Sequence, residues 1–110
     1  MTDRELLERA AKAAGIHGAW WDFPGMDIRH GYSGAIYNED SGQYWNPLAD
    51  DGDALRLAIK LNIEISPCPE HDSVTCEPKG DPASTITVEA LDDFGVRRAI
   101  VRAAAGIAIR

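Results

Sequence analysis

Three stretches of this chain repeat their apolar residues at helical spacing, and the two intervals between them do not. That alternation of period constrains the fold more than any composition does. In residues 2–14, Leu6, Leu7, Ala10 and Ala14 share one stripe, while Arg4, Glu5, Glu8, Arg9 and Lys12 take the remaining surface. Thr2 and Glu5 have the form of a capping box, Glu5 to Arg9 and Glu8 to Lys12 are favourable i,i+4 pairs, and Gly15 supplies a left-handed stop. The second stripe, Ala54, Leu57, Ala58 and Leu61, widened by Leu55, follows Pro47 and predicts a helix capped by Asp50 or Asp51 and running to about Asn62. The third, Val96, Ala99, Ile100, Ala103, Ala104 and Ile107, predicts a helix from about Asp93 to Ile107 with Asp92 or Asp93 as its cap.

The first interval gathers the aromatic residues. All three tryptophans, all three tyrosines and one of the two phenylalanines lie between Trp20 and Trp45, a composition that favours strands. Short strands are expected at Ala19 to Phe23, Ala35 to Tyr37 and Gln43 to Trp45, the last two joined as a hairpin by residues 38–42. Pro24 to Gly34 receives no assignment. The second interval predicts strands at Ile63 to Ser66, Val74 to Glu77 and Thr85 to Leu91, with a turn at Lys79 to Pro82. Leu61, Ile63 and Ile65 point opposite to Asn62, Glu64 and Ser66, and Ile86, Val88 and Ala90 opposite to Thr85, Thr87 and Glu89. One face there is apolar and the other polar, which ordinarily means solvent on the polar side. The element order is therefore α-β-β-β-α-β-β-β-α over residues 1–110: a single-domain α/β (α+β) sandwich, with a mixed, mostly antiparallel sheet packed by three helices. The step from the strand at Gln43 to Trp45 through the middle helix to Ile63 reads as a right-handed parallel crossover.

A length of 110 residues suits one domain, and a hydrophobic fraction of 45% beside 26% charged residues excludes a disordered or collagenous chain. No apolar run is long enough to cross a bilayer, and the opening Met-Thr-Asp-Arg-Glu lacks the basic-then-apolar order of a secretion signal, so a cytoplasmic protein is expected. Eleven Lys and Arg stand against 18 Asp and Glu, and the net charge of −7 disfavours nucleic acid and anionic lipid while leaving a basic protein as a partner. The charge is lopsided. Arg97, Arg98, Arg102 and Arg110 make the C-terminal segment basic, whereas residues 61–96 carry eight acids against Lys79 alone.

The segment from Trp45-Asn46-Pro47 through Asp50, Asp51 and Asp53 to Leu61 resembles a recurrent stretch of small uncharacterised tailed-phage and prophage proteins. The ending Arg97-Arg98-Ala99-Ile100-Val101-Arg102-Ala103-Ala104-Ala105 and the opening Met-Thr-Asp-Arg-Glu-Leu-Leu are similar to the same proteins. A more distant likeness is to lambdoid nin-region proteins, through the Trp-Asn-Pro segment and the Asp-Ala helix start. The resemblance implies a phage alpha-beta-alpha sandwich domain in the cytoplasm of a bacterial host. It implies no reaction.

Two constellations have metal-ligand character. Asp50, Asp51 and Asp53 could surround a hard cation such as Mg²⁺, or could instead serve the unpaired N–H groups of the helix start. Cys68, His71 and Cys76 read as Cys-x2-His-x4-Cys, three zinc-type ligands without a second complete pair, and a hairpin centred near Asp72 would set the two cysteines face to face. No phosphate loop, dinucleotide fingerprint or nucleophile elbow is present, and no cofactor is implied. Trp20 and Trp21, as neighbours on a strand, must point to opposite faces, so aromatic rings are expected outside the core. Trp20, Trp21, Tyr32, Tyr37, Tyr44 and Trp45 are accordingly the interface residues expected for a phage accessory protein that binds a host or phage protein, or itself as a homo-oligomer. The alternative is a small metal-dependent hydrolase or nucleotide-handling enzyme built on Asp50 to Asp53.

Overall fold

In the computed structural model, which describes residues 1–22 and 34–108, each helix begins where a side chain closes its first turn. The chain runs α1 (Asp3–Ala14), β1 (Gly18–Asp22), β2 (Gly34–Asn38), β3 (Gln43–Trp45), α2 (Asp51–Lys60), β4 (Ile63–Cys68), β5 (Ser73–Pro78), β6 (Ile86–Val88) and α3 (Asp93–Ala108). This is the expected order of a mixed α+β globule, and the Cα radius of gyration of 13.4 Å fits the roughly 13 Å of one compact unit this long.

At α1 the Thr2 hydroxyl accepts the Glu5 N–H at 3.2 Å and donates to the Glu5 carboxylate at 3.3 Å, while Gly15 ends the helix at φ 71°. The surface ion pair is Arg4 with Glu8, at 3.6 Å; among the described residues the expected Glu5–Arg9 and Glu8–Lys12 bridges do not form. Asp50 caps α2 by accepting the Asp53 N–H at 2.7 Å, and Asp92 caps α3 by accepting the Gly95 N–H at 2.7 Å. Asn62, left-handed at φ 53°, turns the chain from α2 into β4, a conformation its short amide side chain tolerates.

The strands form two separate antiparallel sheets, β1-β2-β3 and β4-β5-β6. This corrects the single mixed sheet and its parallel crossover: β3 stops at the buried turn through Asn46 and Pro47, α2 packs on β4 and α3, and β4 opens a sheet of its own. α1 packs on β1 and β2, α3 packs on all three strands of the second sheet, and α1 packs on α3. A helix pair thus lies between two outer sheets, where the resemblance implied one sheet between helix layers.

The helix pair can approach closely because its contact faces are small. Ala10, Ala11 and Ala14 on α1 and Ala99, Ala103, Ala104 and Ala105 on α3 are all buried. Leu7, Ile36, Leu48, Val74, Cys76 and Val101 fill the remaining space, each larger apolar side chain contributing about 1.5–3 kcal/mol by leaving water. Arg98 ties α3 to Asp3 at 3.0 Å, and Arg97 ties it to the start of α2, donating to the Leu48 carbonyl at 2.9 Å and to Asp51 at 2.6 Å.

Candidate functional site

Register decides which aromatic rings stay outside. In the first sheet Trp20, Ile36 and Trp45 occupy one cross-strand row, and Ala19, Tyr37 and Tyr44 the adjacent row. Period two sends the first row inward and the second outward, with Trp21 on the outward side opposite Ala35. Trp45 keeps only 7% of its surface and joins the core, and Trp20 is half-buried against it. Gly34 makes room for the Trp20 ring, since a Cβ there would strike both that ring and the Trp21 carbonyl.

The outward rings form a continuous stripe. Trp21 and Tyr37 lie 6.2 Å apart with their planes tilted by 59°, and Tyr37 and Tyr44 lie 5.4 Å apart at 66°, the edge-to-face geometry that aromatic pairs prefer. Trp21 remains 54% exposed and Tyr44 51%, with Tyr37 half-buried between them. Asp22, which ends β1, lies on the Trp20 side of the sheet and accepts the Trp20 indole N–H at 2.7 Å, whereas Glu39 and Asp40 stand exposed in the β2–β3 turn. Asp40 also stands 3.4 Å from His17. Of the six expected interface residues, then, Trp21, Tyr37 and Tyr44 assemble on one surface, Trp20 and Trp45 serve the interior, and Tyr32 lies outside the described residues.

The two expected metal clusters are occupied otherwise. The Asp50 carboxylate is the α2 cap, and Asp51 holds Arg97. Asp53 accepts the Asn46 N–H at 3.0 Å and pairs with Arg56 at 2.8 Å, and that carboxylate raises the guanidinium pKa of Arg56 above its ordinary value, chiefly through the hydrogen bond. In the β4–β5 hairpin Cys68 stands opposite Ser73 and Cys76 opposite Ile65, so the cysteines do not face each other. The reason is local: Pro69 opens a 3-10 turn through His71, and Asp72 closes it at φ 48°, which centres the hairpin between Glu70 and His71. The half-buried Cys68 thiol donates to Glu70 at 3.3 Å, and His71 is exposed. Among the described residues no group of three His, Cys, Asp or Glu side chains is placed to hold a metal ion.

Two features escaped the sequence reading. Asn46 is buried and clamps three segments, donating its amide to the Gly34 carbonyl at 3.1 Å, accepting the Leu48 N–H at 3.0 Å and donating its backbone N–H to Asp53. An Asn before Pro gives a turn signal, but nothing local identifies its distant acceptor. Leu55, expected to widen the buried stripe of α2, is instead 56% exposed, and Ile59 is 70% exposed. The helix leans on α3 and β4 through Ala54, Leu57 and Ala58, which turns the flank bearing Leu55 and Ile59 to solvent. Compared with protein-family models, with curated proteins and with solved structures, the chain matches none.

Proposed function

We propose that this protein works by binding, and that the stripe of Trp21, Tyr37 and Tyr44 receives a protein segment carrying exposed Arg or Lys side chains. The observation that carries the reading is the pair of half-exposed rings, Trp21 and Tyr44, joined through Tyr37 into one surface on the outer side of a sheet. Large amphipathic rings of this kind dominate the energetics of protein contacts. Glu39 and Asp40, in the turn that joins the strands of Tyr37 and Tyr44, supply the opposite charge that a cationic partner needs, and Arg56, which shares a hollow with Tyr44, is held by Asp53. The chain's own arginines already use aromatic faces, Arg4 lying 5.9 Å from the Trp20 ring centroid and Arg98 5.2 Å from that of Phe94.

The wider setting is that of a phage or prophage accessory protein, a reading supported by the three segments that resemble such proteins. Those segments coincide with α1, with the start and body of α2, and with α3. They are the inner scaffold; the stripe lies outside them, on the surface that such a scaffold presents.

Calorimetric titration with an Arg-rich peptide and with its Glu-substituted counterpart tests the proposal. The Arg peptide should bind, the Glu peptide should not, and the double variant Trp21→Ala with Tyr44→Ala should weaken binding about tenfold or more, the loss of at least one hot-spot contact. Equal affinity for the variant and the unaltered protein would show attraction to net charge alone and end the proposal, as would no binding at all.

A further inference from the structure

The sequence concentrates arginine on α3 in a chain of net charge −7, and the aromatic stripe uses none of it. Arg97 faces α2, where it is committed to Asp51 and the Leu48 carbonyl. Arg98 and Arg102 stand one turn apart on the other side of α3 and line a groove of about 460 Å³ between α1 and β6. Leu6 from α1, Ile86 from β6 and Ala105 from α3 give that groove an apolar interior, and among the described residues no carboxylate lines it. Asp3 accepts one N–H of Arg98 at 3.0 Å, which leaves other donors of that guanidinium unused. Arg102 is exposed and enters no ion pair or hydrogen bond among the described residues. Apolar surface continues past the groove: Met1 is exposed at its edge, and Phe94, exposed one turn before Arg98, carries the Arg98 guanidinium 5.2 Å from its ring centroid.

We infer that this groove docks an acidic, amphipathic protein segment, with an apolar side chain seated between Leu6 and Ile86 and a carboxylate held by Arg102. Charge selects the sign of the occupant. Two guanidiniums stand against one carboxylate that is already used, so an anion gains here and a cation is repelled. Extent selects its size. Phe94, Arg98 and Arg102 follow one another at i, i+4 and i+8 along two turns of α3, and the exposed side chains of Phe94 and Met1 carry the apolar surface beyond the hollow that a small carboxylate would fill. A segment of helix laid along α3 covers both. The Arg102 fork takes a carboxylate through two N–H groups and so sets the register of the segment, while the apolar interior excludes the water that makes exposed ion pairs weak. The site is separate from the stripe, which takes the opposite charge.

Calorimetric titration of the full chain with a helical peptide that bears leucines and glutamates on one face, up to about one millimolar, tests the inference. The peptide should bind. Two relatives of it, one with glutamine for glutamate and one with serine for leucine, should each bind at least tenfold more weakly, because the first lacks the charge and the second the anchor. Arg102→Glu, at an exposed helix position and with folding checked by circular dichroism, should weaken the original peptide at least tenfold. Lys60→Glu makes the same change of net charge on α2, which meets α3 on the side away from the groove, and should leave the affinity unaltered. Sodium octanoate, a small carboxylate with an apolar tail, should not bind measurably over the same range. Failure of the leucine-glutamate peptide to bind, equal losses from Arg102→Glu and Lys60→Glu, undiminished binding of either relative, or octanoate binding as well as the peptide would overturn the inference.

Discussion

The two sheets are built alike and finished differently. Each has three antiparallel strands, each lays one apolar face on a central helix, and each leaves the other face outside. On β4-β5-β6 the outer face carries Glu64 opposite Glu77, Ser66 opposite Thr75 and Thr75 opposite Thr87, with Thr85 donating to Glu77 at 3.1 Å. On β1-β2-β3 the corresponding positions carry Trp21, Tyr37 and Tyr44. Folding asks only that one face be apolar, so the hydroxyl and carboxylate face is what alternation by itself produces. Rings on the outer face of the first sheet gain little from the protein's own core, and the contrast between the sheets is therefore the strongest structural ground for assigning binding to one of them.

That contrast breaks if the rings of both rows prove equally structural. Trp45→Ala removes a side chain that is nearly all enclosed and should cost about 3–5 kcal/mol, as large-to-small core changes do. Trp21→Ala removes a ring of similar size from the same sheet and should cost about 0.5–1.5 kcal/mol, the scale of one aromatic pair beyond area burial. Urea unfolding of the two variants measures both. Similar losses would mean that the outer ring supports the fold, and the functional reading of the sheet would fall with it.

How much of this was legible in the sequence follows from the range of each interaction. Helix starts were legible because Thr2, Asp50 and Asp92 act within three residues of themselves. The hairpin at residues 38–42 was legible for the same reason, and so was the polar face of the second sheet, since period two needs no knowledge of neighbours. The division into two sheets was not: it depends on α2 packing across β4 and α3, a contact between distant segments. The same blindness misplaced Leu55, whose position on the helix is local but whose exposure is set by where α3 lies. Within the site, opposite orientation of Trp20 and Trp21 could be read from adjacency, but which of them is inside depends on pairing with Ile36 and on the space left by Gly34.

The inner face of the second sheet offers a further test, because it contains a buried titratable group. Cys76 is fully enclosed opposite Ile65 and Ile86, and burial pushes its thiol pKa up from 9.0 to about 11. The unfolded chain therefore loses this proton first as pH rises, so stability is whole below about pH 9 and declines toward pH 11. Cys76→Ala should lower stability at neutral pH, through the space it leaves, and should flatten that alkaline decline in thermal melts. A decline of unchanged slope in the variant would assign it to other groups. At neutral pH a thiol reagent should label the half-buried Cys68 and spare Cys76 in the native protein.

The smallest expected effect sharpens the comparison at its other end. On the outer face of the second sheet Thr75 and Thr87 stand opposite each other with their hydroxyls 3.0 Å apart. A cross-strand pair of this kind is worth about 0.2–1 kcal/mol, and solvent competes for both hydroxyls. A double-mutant cycle with Thr75→Val and Thr87→Val should return a coupling within that range, and neither single change should alter peptide binding at the stripe. The equivalent cycle across Tyr37 and Tyr44, with each ring replaced by Ala, should give a coupling at least as large, because edge-to-face rings interact more strongly than exposed hydroxyls. If the tyrosine coupling were near zero while both single changes abolished binding, the rings would act on the partner separately and the stripe would be two contacts instead of one surface.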